Sequence, residues 1–301
     1  MEISVVIPFL NEEETLPILH EKLVHQLDEI GKSWEIIYVN DGSSDNSFSV
    51  ISEICKQSEK ARVVGFRRNR GKSEALNCGF AEANGEFIIT MDADLQDDPN
   101  EIPNLLTEIE KGFDMVSGWK ENRKDPLEKR FASKIFNKVT QWSTGLKIHD
   151  FNGGLKIYRK EVVKTLKIYG SLHRFIPAMA HQAGFKVGEI PVKHYPREHG
   201  VSKFGWRRYP QGLFDLMTIL FIGKYLQHPL HFFGVFGFIS FLIGCAIEIG
   251  VLILKYGFDE PFGRHLAMLV FGVMMIIIGV QFISLGLLGE LIVHRSTRDR
   301  E

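Results

Sequence analysis

Two long apolar runs near the C-terminus, residues 232–254 and 266–289, constrain this chain more than any other feature. Each matches the roughly 20 residues that cross a bilayer as a helix. The first run contains one acid, Glu248, and the second one strongly polar side chain, Gln281. A buried hairpin in a soluble core is the alternative, but two such runs in succession, rich in aromatic and small residues, favour membrane spans. Glu248 is costly against lipid, so it is expected to face protein or water. The connector, 255–265, is short, so the helices run antiparallel and their outer ends share one side. Arg207, Arg208 and Lys224 precede the pair and Arg295, Arg298 and Arg300 follow it, whereas the connector carries only Lys255 and Arg264. Positive flanks favour the cytoplasm, which places the rest of the chain and both termini there. Residues 212–227 carry apolar side chains on one helical face, the pattern of an interfacial helix. Gly279 and Gly286 permit close helix packing and are compatible with a homo-oligomer, dimer or tetramer.

The first 120 residues read differently. Short Val-, Ile- and Phe-rich runs at 3–7, 35–39, 62–66, 86–91 and 113–117 alternate with helical spacing at 12–30, 45–57, 72–83 and 101–111. That alternation predicts an α/β domain with a mostly parallel sheet covered by helices on both faces. The expected organisation is a cytoplasmic α/β domain over 1–211, an interfacial amphipathic helix over 212–230, a two-helix transmembrane hairpin over 231–294 and a cytoplasmic tail over 295–301. The N-terminal apolar run lacks a basic flank and is broken by Pro8 and Asn11, so it reads as a buried strand and not a signal peptide. The 3 cysteines form no C-x-x-C pair, which disfavours a disulfide framework or zinc site and suits a reducing compartment.

In an open parallel sheet, ligands bind beyond the C-terminal strand ends. Polar clusters fall there. Asp92-Ala93-Asp94-Leu95-Gln96 follows the fourth strand, and two carboxylates at i and i+2 with a neutral amide suit Mg²⁺ or Mn²⁺, which accept one or two carboxylates plus phosphates and water. The same stretch also suits a solvated acidic turn, with Asp97, Asp98 and Pro99 starting a helix. Asp41-Gly42-Ser43-Ser44-Asp45 follows the second strand; Asp41 is placed to accept hydrogen bonds from a base or ribose, and Asp45 to cap the next helix. Pro8-Phe9-Leu10-Asn11-Glu12 follows the first; Asn11 suits a helix cap and Glu12 the first turn. Arg67-Arg68-Asn69-Arg70-Gly71-Lys72 suits phosphate contact, or is a solvated basic loop. Neither G-x-G-x-x-G nor G-x-x-x-x-G-K-[ST] is present, which disfavours a dinucleotide dehydrogenase or P-loop enzyme. The basic stretch 120–138 reads as helical. It is a solvated face or a phosphate-binding one, and beside two spans lipid phosphates are the more natural partner than nucleic acid.

Taken together, Pro8 to Glu12, Asp41-Gly42-Ser43 and Asp92 to Gln96 resemble the GT-A-type domain of family-2 glycosyltransferases. The segment Asp150-Phe151-Asn152-Gly153-Gly154-Leu155-Lys156, the segment His199-Gly200-Val201-Ser202-Lys203-Phe204 and the two spans extend the likeness over nearly the whole chain. They point to the polyprenyl-phosphate branch, which includes dolichyl-phosphate mannose synthases and bacterial bactoprenol glucosyltransferases. The resemblance implies a membrane enzyme of the inner (cytoplasmic) membrane that moves a sugar, with inversion, from a nucleotide-sugar, UDP more than GDP, onto a polyprenyl phosphate. It implies Asp92, Asp94 and Gln96 at the Mg²⁺ or Mn²⁺ ion, with Asp94 and Asp150 catalytic. Pro8, Asn11, Glu12, Asp41, Lys72, Asp92, Arg197, Ser202 and Lys203 would bind the nucleotide-sugar. Arg123, Lys129, Arg130 and Ser133 would bind the acceptor phosphate. A processive polysaccharide synthase is disfavoured because Gln141-Trp142 does not fit the Q-x-x-R-W pattern and two spans are few for a channel. A non-catalytic scaffold is disfavoured by the intact Asp92 to Gln96 and Ser202-Lys203.

Overall fold

A computed structural model of the chain describes residues 1–120, 137–142, 144–170, 172–196 and 229–298. The chain divides into two compact units, 1–219 and 220–301.

The first unit is built on a mixed sheet of seven strands: β1 (Ile3–Phe9), β2 (Trp34–Asp41), β3 (Ala61–Phe66), β4 (Phe87–Thr90), β5 (Met115–Lys120), β6 (Lys156–Arg159) and β7 (Val187–Val192). Their order is β3-β2-β1-β4-β6-β5-β7. β1 pairs in parallel with β2 and β4, β2 with β3, and β5 with β7, while β6 runs antiparallel between β4 and β5. The strand order reverses beside β1, which opens a crevice between the ends of β1 and β4. β2 is buried along its whole length, as a central strand covered on both faces must be.

The helices are α1 (Thr15–Ile30), α2 (Ser47–Lys56), α3 (Lys72–Glu82), α4 (Ile102–Ile109), α5 (Lys160–Thr165) and α6 (Ile176–Gln182). In α1, Leu16, Leu19, Leu23 and Leu27 recur at helical spacing and are fully buried. They join Ile3, Val5, Ile7 and Phe9 of β1 and Leu105, Leu106 and Ile109 of α4 in one core. Each such side chain contributes roughly 1.5–3 kcal/mol relative to exposure. α3 covers the other face, against β1 and β2.

The second unit is a hairpin of α7 (Pro229–Phe258) and α8 (Leu266–Arg298). Both helices are long and apolar enough to cross a membrane. They extend beyond the expected bounds, and the expected connector shrinks because α7 continues to Phe258. A Cβ on Gly237 would lie 2.7 Å from the Gly279 carbonyl, and one on Gly244 would lie 2.7 Å from the Gly272 carbonyl. Only glycine permits that backbone contact. Gly286 packs against Leu230 and Phe233. The glycines offered above for subunit contact are thus used inside the hairpin. Glu248 lies against Gly272 of α8, as its cost in lipid demands. The outward faces carry Val235, Phe238, Leu242, Ile277 and Leu288, all exposed. The 212–227 helix and most of the basic 120–138 stretch lie outside the described residues.

Candidate active site

The first two loops at the C-terminal edge are sewn together. After β1, Asn11 adopts a left-handed φ of 53°. Its amide donates to Ser43 Oγ at 3.0 Å, and its Oδ1 accepts from the Ser44 amide at 2.8 Å. The expected helix cap is therefore corrected: α1 starts only at Thr15, with Glu14 at its cap position, and the turned backbone aims Asn11 across to the second loop. The Glu12 amide donates to Ser47 Oγ at 2.7 Å, and Thr15 Oγ1 donates to Glu12 Oε2 at 3.2 Å. Asp45 Oδ1 accepts from the Ser47 amide at the start of α2. Asp41 ends β2 nearly buried, and its Oδ1 accepts from the amides of Arg70 (2.8 Å) and Gly71 (3.0 Å). It ties the second loop to the third and fixes the entry to α3.

The acidic loop follows β4. Asp92 Oδ1 is paired with Lys72 Nζ, the first side chain of α3. Leu95 takes a φ of 60°, which turns the loop so that Asp94 Oδ1 accepts from the Gln96 amide at 3.3 Å. Gln96 Nε2 donates to the Tyr195 carbonyl. Asp92 and Asp94 are partly exposed, whereas Asp97 and Asp98 beyond them, expected in a solvated turn, are only 3 % and 7 % exposed. Asp98 accepts from the Asn100 amide, as a helix start requires, and from the Tyr195 hydroxyl. Asp97 forms a β-bridge with His194, and its carboxylate lies 3.5 Å from Lys120 Nζ and 3.8 Å from His194 Nδ1. Burial alone would raise its pKa, but the Lys120 ammonium, with His194 beside it, holds the carboxyl well below the usual range. Lys120, counted above in a surface basic stretch, points inward to this acid.

Because β6 runs against its neighbours, its first residue stands at the edge where the others end. Lys156 pairs with Thr90 at the end of β4, and this draws 150–155 against the acidic loop. A Cβ on Gly154 would lie 2.6 Å from Asp97 Oδ2 and 2.7 Å from Asp92 Oδ2. Asp150 is buried, and its Oδ1 accepts from the Asn152 amide at 3.0 Å. His149 donates its amide to Glu189 Oε2 at 2.7 Å and stacks on Trp119, which fixes the residue before Asp150. Pro8, Lys72, Asp92, Asn152, Lys156 and His173 line a narrow cleft.

Lys156 is 4 % exposed and donates to the Gly153 carbonyl. Burial, then the Lys72 charge, lowers its pKa to about 8, against the opposing pull of Asp150, Asp92 and Asp97. Folding therefore releases a proton between about pH 8 and 10.5, the ordinary lysine value. In that window the unfolded chain binds more protons, so stability rises with pH, and below it the slope vanishes. The unfolding midpoint of the wild type, measured relative to Lys156→Met, is expected to climb across this window and stay flat from pH 6 to 7.

The structure thus brings together Pro8, Lys72, Asp92 and the 150–156 segment, and places Asn11, Glu12 and Asp41 along the same edge. Arg123, Lys129, Arg130, Ser133, Arg197, Ser202 and Lys203 lie outside the described residues. Sequence reasoning missed Lys156, Asp97 and Glu189 as parts of the site. A lysine set among Leu155, Ile157 and Tyr158 is the one signal that pointed to Lys156. Asp92 and Asp94 offer hard oxygens suited to Mg²⁺ or Mn²⁺, and Asp92 already engages a cationic group. Among the described residues no three His, Cys, Asp or Glu side chains converge as a cage, so an ion there would draw its remaining ligands from phosphate and water.

The family model for glycosyl transferase family 2 matches residues 4–167. The dodecaprenyl-phosphate galacturonate synthase of Rhizobium johnstonii is 36% identical, covering 99% of this chain and 90% of that protein. The undecaprenyl-phosphate 4-deoxy-4-formamido-L-arabinose transferase of an Enterobacter species is 35% identical, covering 97% and 88%. Glucosyl-3-phosphoglycerate synthase from Mycobacterium tuberculosis, solved with Mn²⁺, UDP-glucose and phosphoglyceric acid, shares the fold at a TM-score of 0.56 and 19% identity over 73% of this chain and 79% of that one. The match of the family model and these relatives, which span nearly the whole chain, establish that the chain belongs to glycosyl transferase family 2.

Proposed function

We propose that this enzyme transfers a single sugar from a nucleotide-sugar, a UDP-sugar in preference to a GDP-sugar, to a polyprenyl phosphate, with inversion. The observation that carries this reading is the likeness, over 97–99% of the chain, to transferases named for polyprenyl phosphates. The organisation expected above belongs to it: catalytic domain, interfacial helix and both termini on the cytoplasmic side of the inner membrane. Tethering turns a search in three dimensions into one along a surface and helps orient the acceptor.

Asp92 and Asp94, with Gln96, would hold Mg²⁺ or Mn²⁺, which when bound neutralises the donor diphosphate and stabilises it as it departs. Pro8, Asn11, Glu12 and Asp41 border the nucleoside. Lys72, with Arg197, Ser202 and Lys203, contacts phosphate. Arg123, Lys129, Arg130 and Ser133 receive the lipid phosphate. That phosphate needs little help to become a nucleophile, because its second pKa is about 6 and it is mostly dianionic near neutrality. Asp150 then orients groups more than it removes a proton. Accordingly, Asp150→Asn is expected to lower kcat by less than about 100-fold, the lower end of what loss of a general base costs. A fall of about 10⁴-fold with a shifted pH profile would restore the base.

The direct test incubates the purified enzyme with undecaprenyl phosphate and a panel of radiolabelled nucleotide-sugars. A lipid-extractable product carrying one sugar is expected. A polymer would indicate a processive synthase, and no product from any donor would indicate a scaffold.

A further inference from the structure

Asp92 is the first carboxylate of the acidic loop, and in the structure its Oδ1 is held by an ammonium, Lys72 Nζ. The two side chains are 36% and 32% exposed, so solvent and ions reach the pair. The same cleft holds a second cation, the buried Lys156. Lys72 is therefore paired with one anion and shares the cleft with a like charge. A divalent ion on Asp92 would set two further positive charges against the ammonium, and the balance that keeps Lys72 there would reverse. The lysine has somewhere to go. It is the first residue of α3, whose N-terminus favours an anion, so a diphosphate bound there would offer the flexible ammonium a new partner.

Resting on the metal-and-donor reading above, we infer that Lys72 is a tethered surrogate cation that competes with the divalent ion for Asp92. The donor diphosphate ends the competition by drawing Lys72 onto its own oxygens. Metal and nucleotide then bind with positive coupling, and each raises the affinity of the other by the same factor. Lys72 acts as a gate on metal occupancy as well as a phosphate contact.

The test is Mn²⁺ titration of the full-length, detergent-solubilised enzyme, following the paramagnetic resonance of free Mn²⁺, first without nucleotide and then with UDP or GDP. Lys72→Met is expected to bind Mn²⁺ alone about tenfold more tightly than the wild type, and to gain several-fold less from nucleotide, within the usual range of coupling between sites. A residue needed only to bind phosphate would leave binding of Mn²⁺ alone unmoved. Equal or weaker binding of Mn²⁺ alone by Lys72→Met overturns the inference. Asp92→Asn separates the two levels. If it abolishes Mn²⁺ binding while Lys72→Met changes nothing, the metal reading stands and the competition falls. If it binds Mn²⁺ as the wild type does, both fall.

Discussion

Enzyme carrying Asp94→Asn is expected to lose sugar transfer on the order of 10³-fold, the scale seen when one preorganised electrostatic contact to a developing charge is removed. The change deletes a charge and almost no volume. Asn keeps an oxygen that can accept from the Gln96 amide, the bond that shapes the loop at 3.3 Å. The unfolding midpoint should therefore stay at the wild-type value while transfer collapses. Raising Mn²⁺ should recover part of the rate if affinity is what was lost, and none if charge on the leaving diphosphate is what mattered. Turnover at the wild-type rate would remove Asp94 from the site.

Gly154→Ala is expected to be nearly as damaging, although residue 154 has no side chain to do chemistry. Its new Cβ would lie 2.6 Å from Asp97 Oδ2 and 2.7 Å from Asp92 Oδ2, well inside contact distance. Asp97 has little room to yield, since it is 3 % exposed and backed by Lys120. Asp92, half-exposed and held by one lysine, is the side that moves. Overpacking of this kind typically costs about 1–3 kcal/mol of stability. Displacing a reacting contact by about 1 Å costs transfer roughly 10²-fold. Urea unfolding and the lipid-product assay read the two effects separately. Wild-type values in both would mean that the 150–156 segment does not press on the acidic loop.

What the sequence disclosed, and what it withheld, follows from how strongly local pattern constrains structure. The strands β1 to β4 and helices α1 to α4 were legible because Val- and Ile-rich runs alternated with helical spacing, and their ends were off by a few residues. β6 and β7 were not. Lys156–Arg159 is four residues long and half polar, and Val187–Val192 is only partly buried, so neither shows a clean period. The helices α5 and α6 are too short for periodicity to emerge. At the site, the acids of the D-x-D stretch stood out because their chemistry is written in residue type. Lys156, Lys120 and Asp97 did not, since a charged residue in a sequence reads as solvated until the fold buries it beside its opposite. Asn11 misled for a backbone reason: only a positive φ turns it from the helix it precedes to the serines of the next loop.

The reversed direction of β6 constrains the chain that leads into it. β5 leaves the sheet at Lys120 and β6 re-enters it at Lys156, and the two strands lie side by side with Ser117 opposite Lys156. The intervening stretch, 121–155, therefore departs from and returns to one rim of the scaffold. Its last part is not free to vary: Phe151 and Leu155 are buried and Gly154 abuts Asp92 and Asp97, so the return into β6 is held in step with the acidic loop. Any change in length between Lys120 and Lys156 must therefore be absorbed before residue 146, ahead of the buried run that ends at the site.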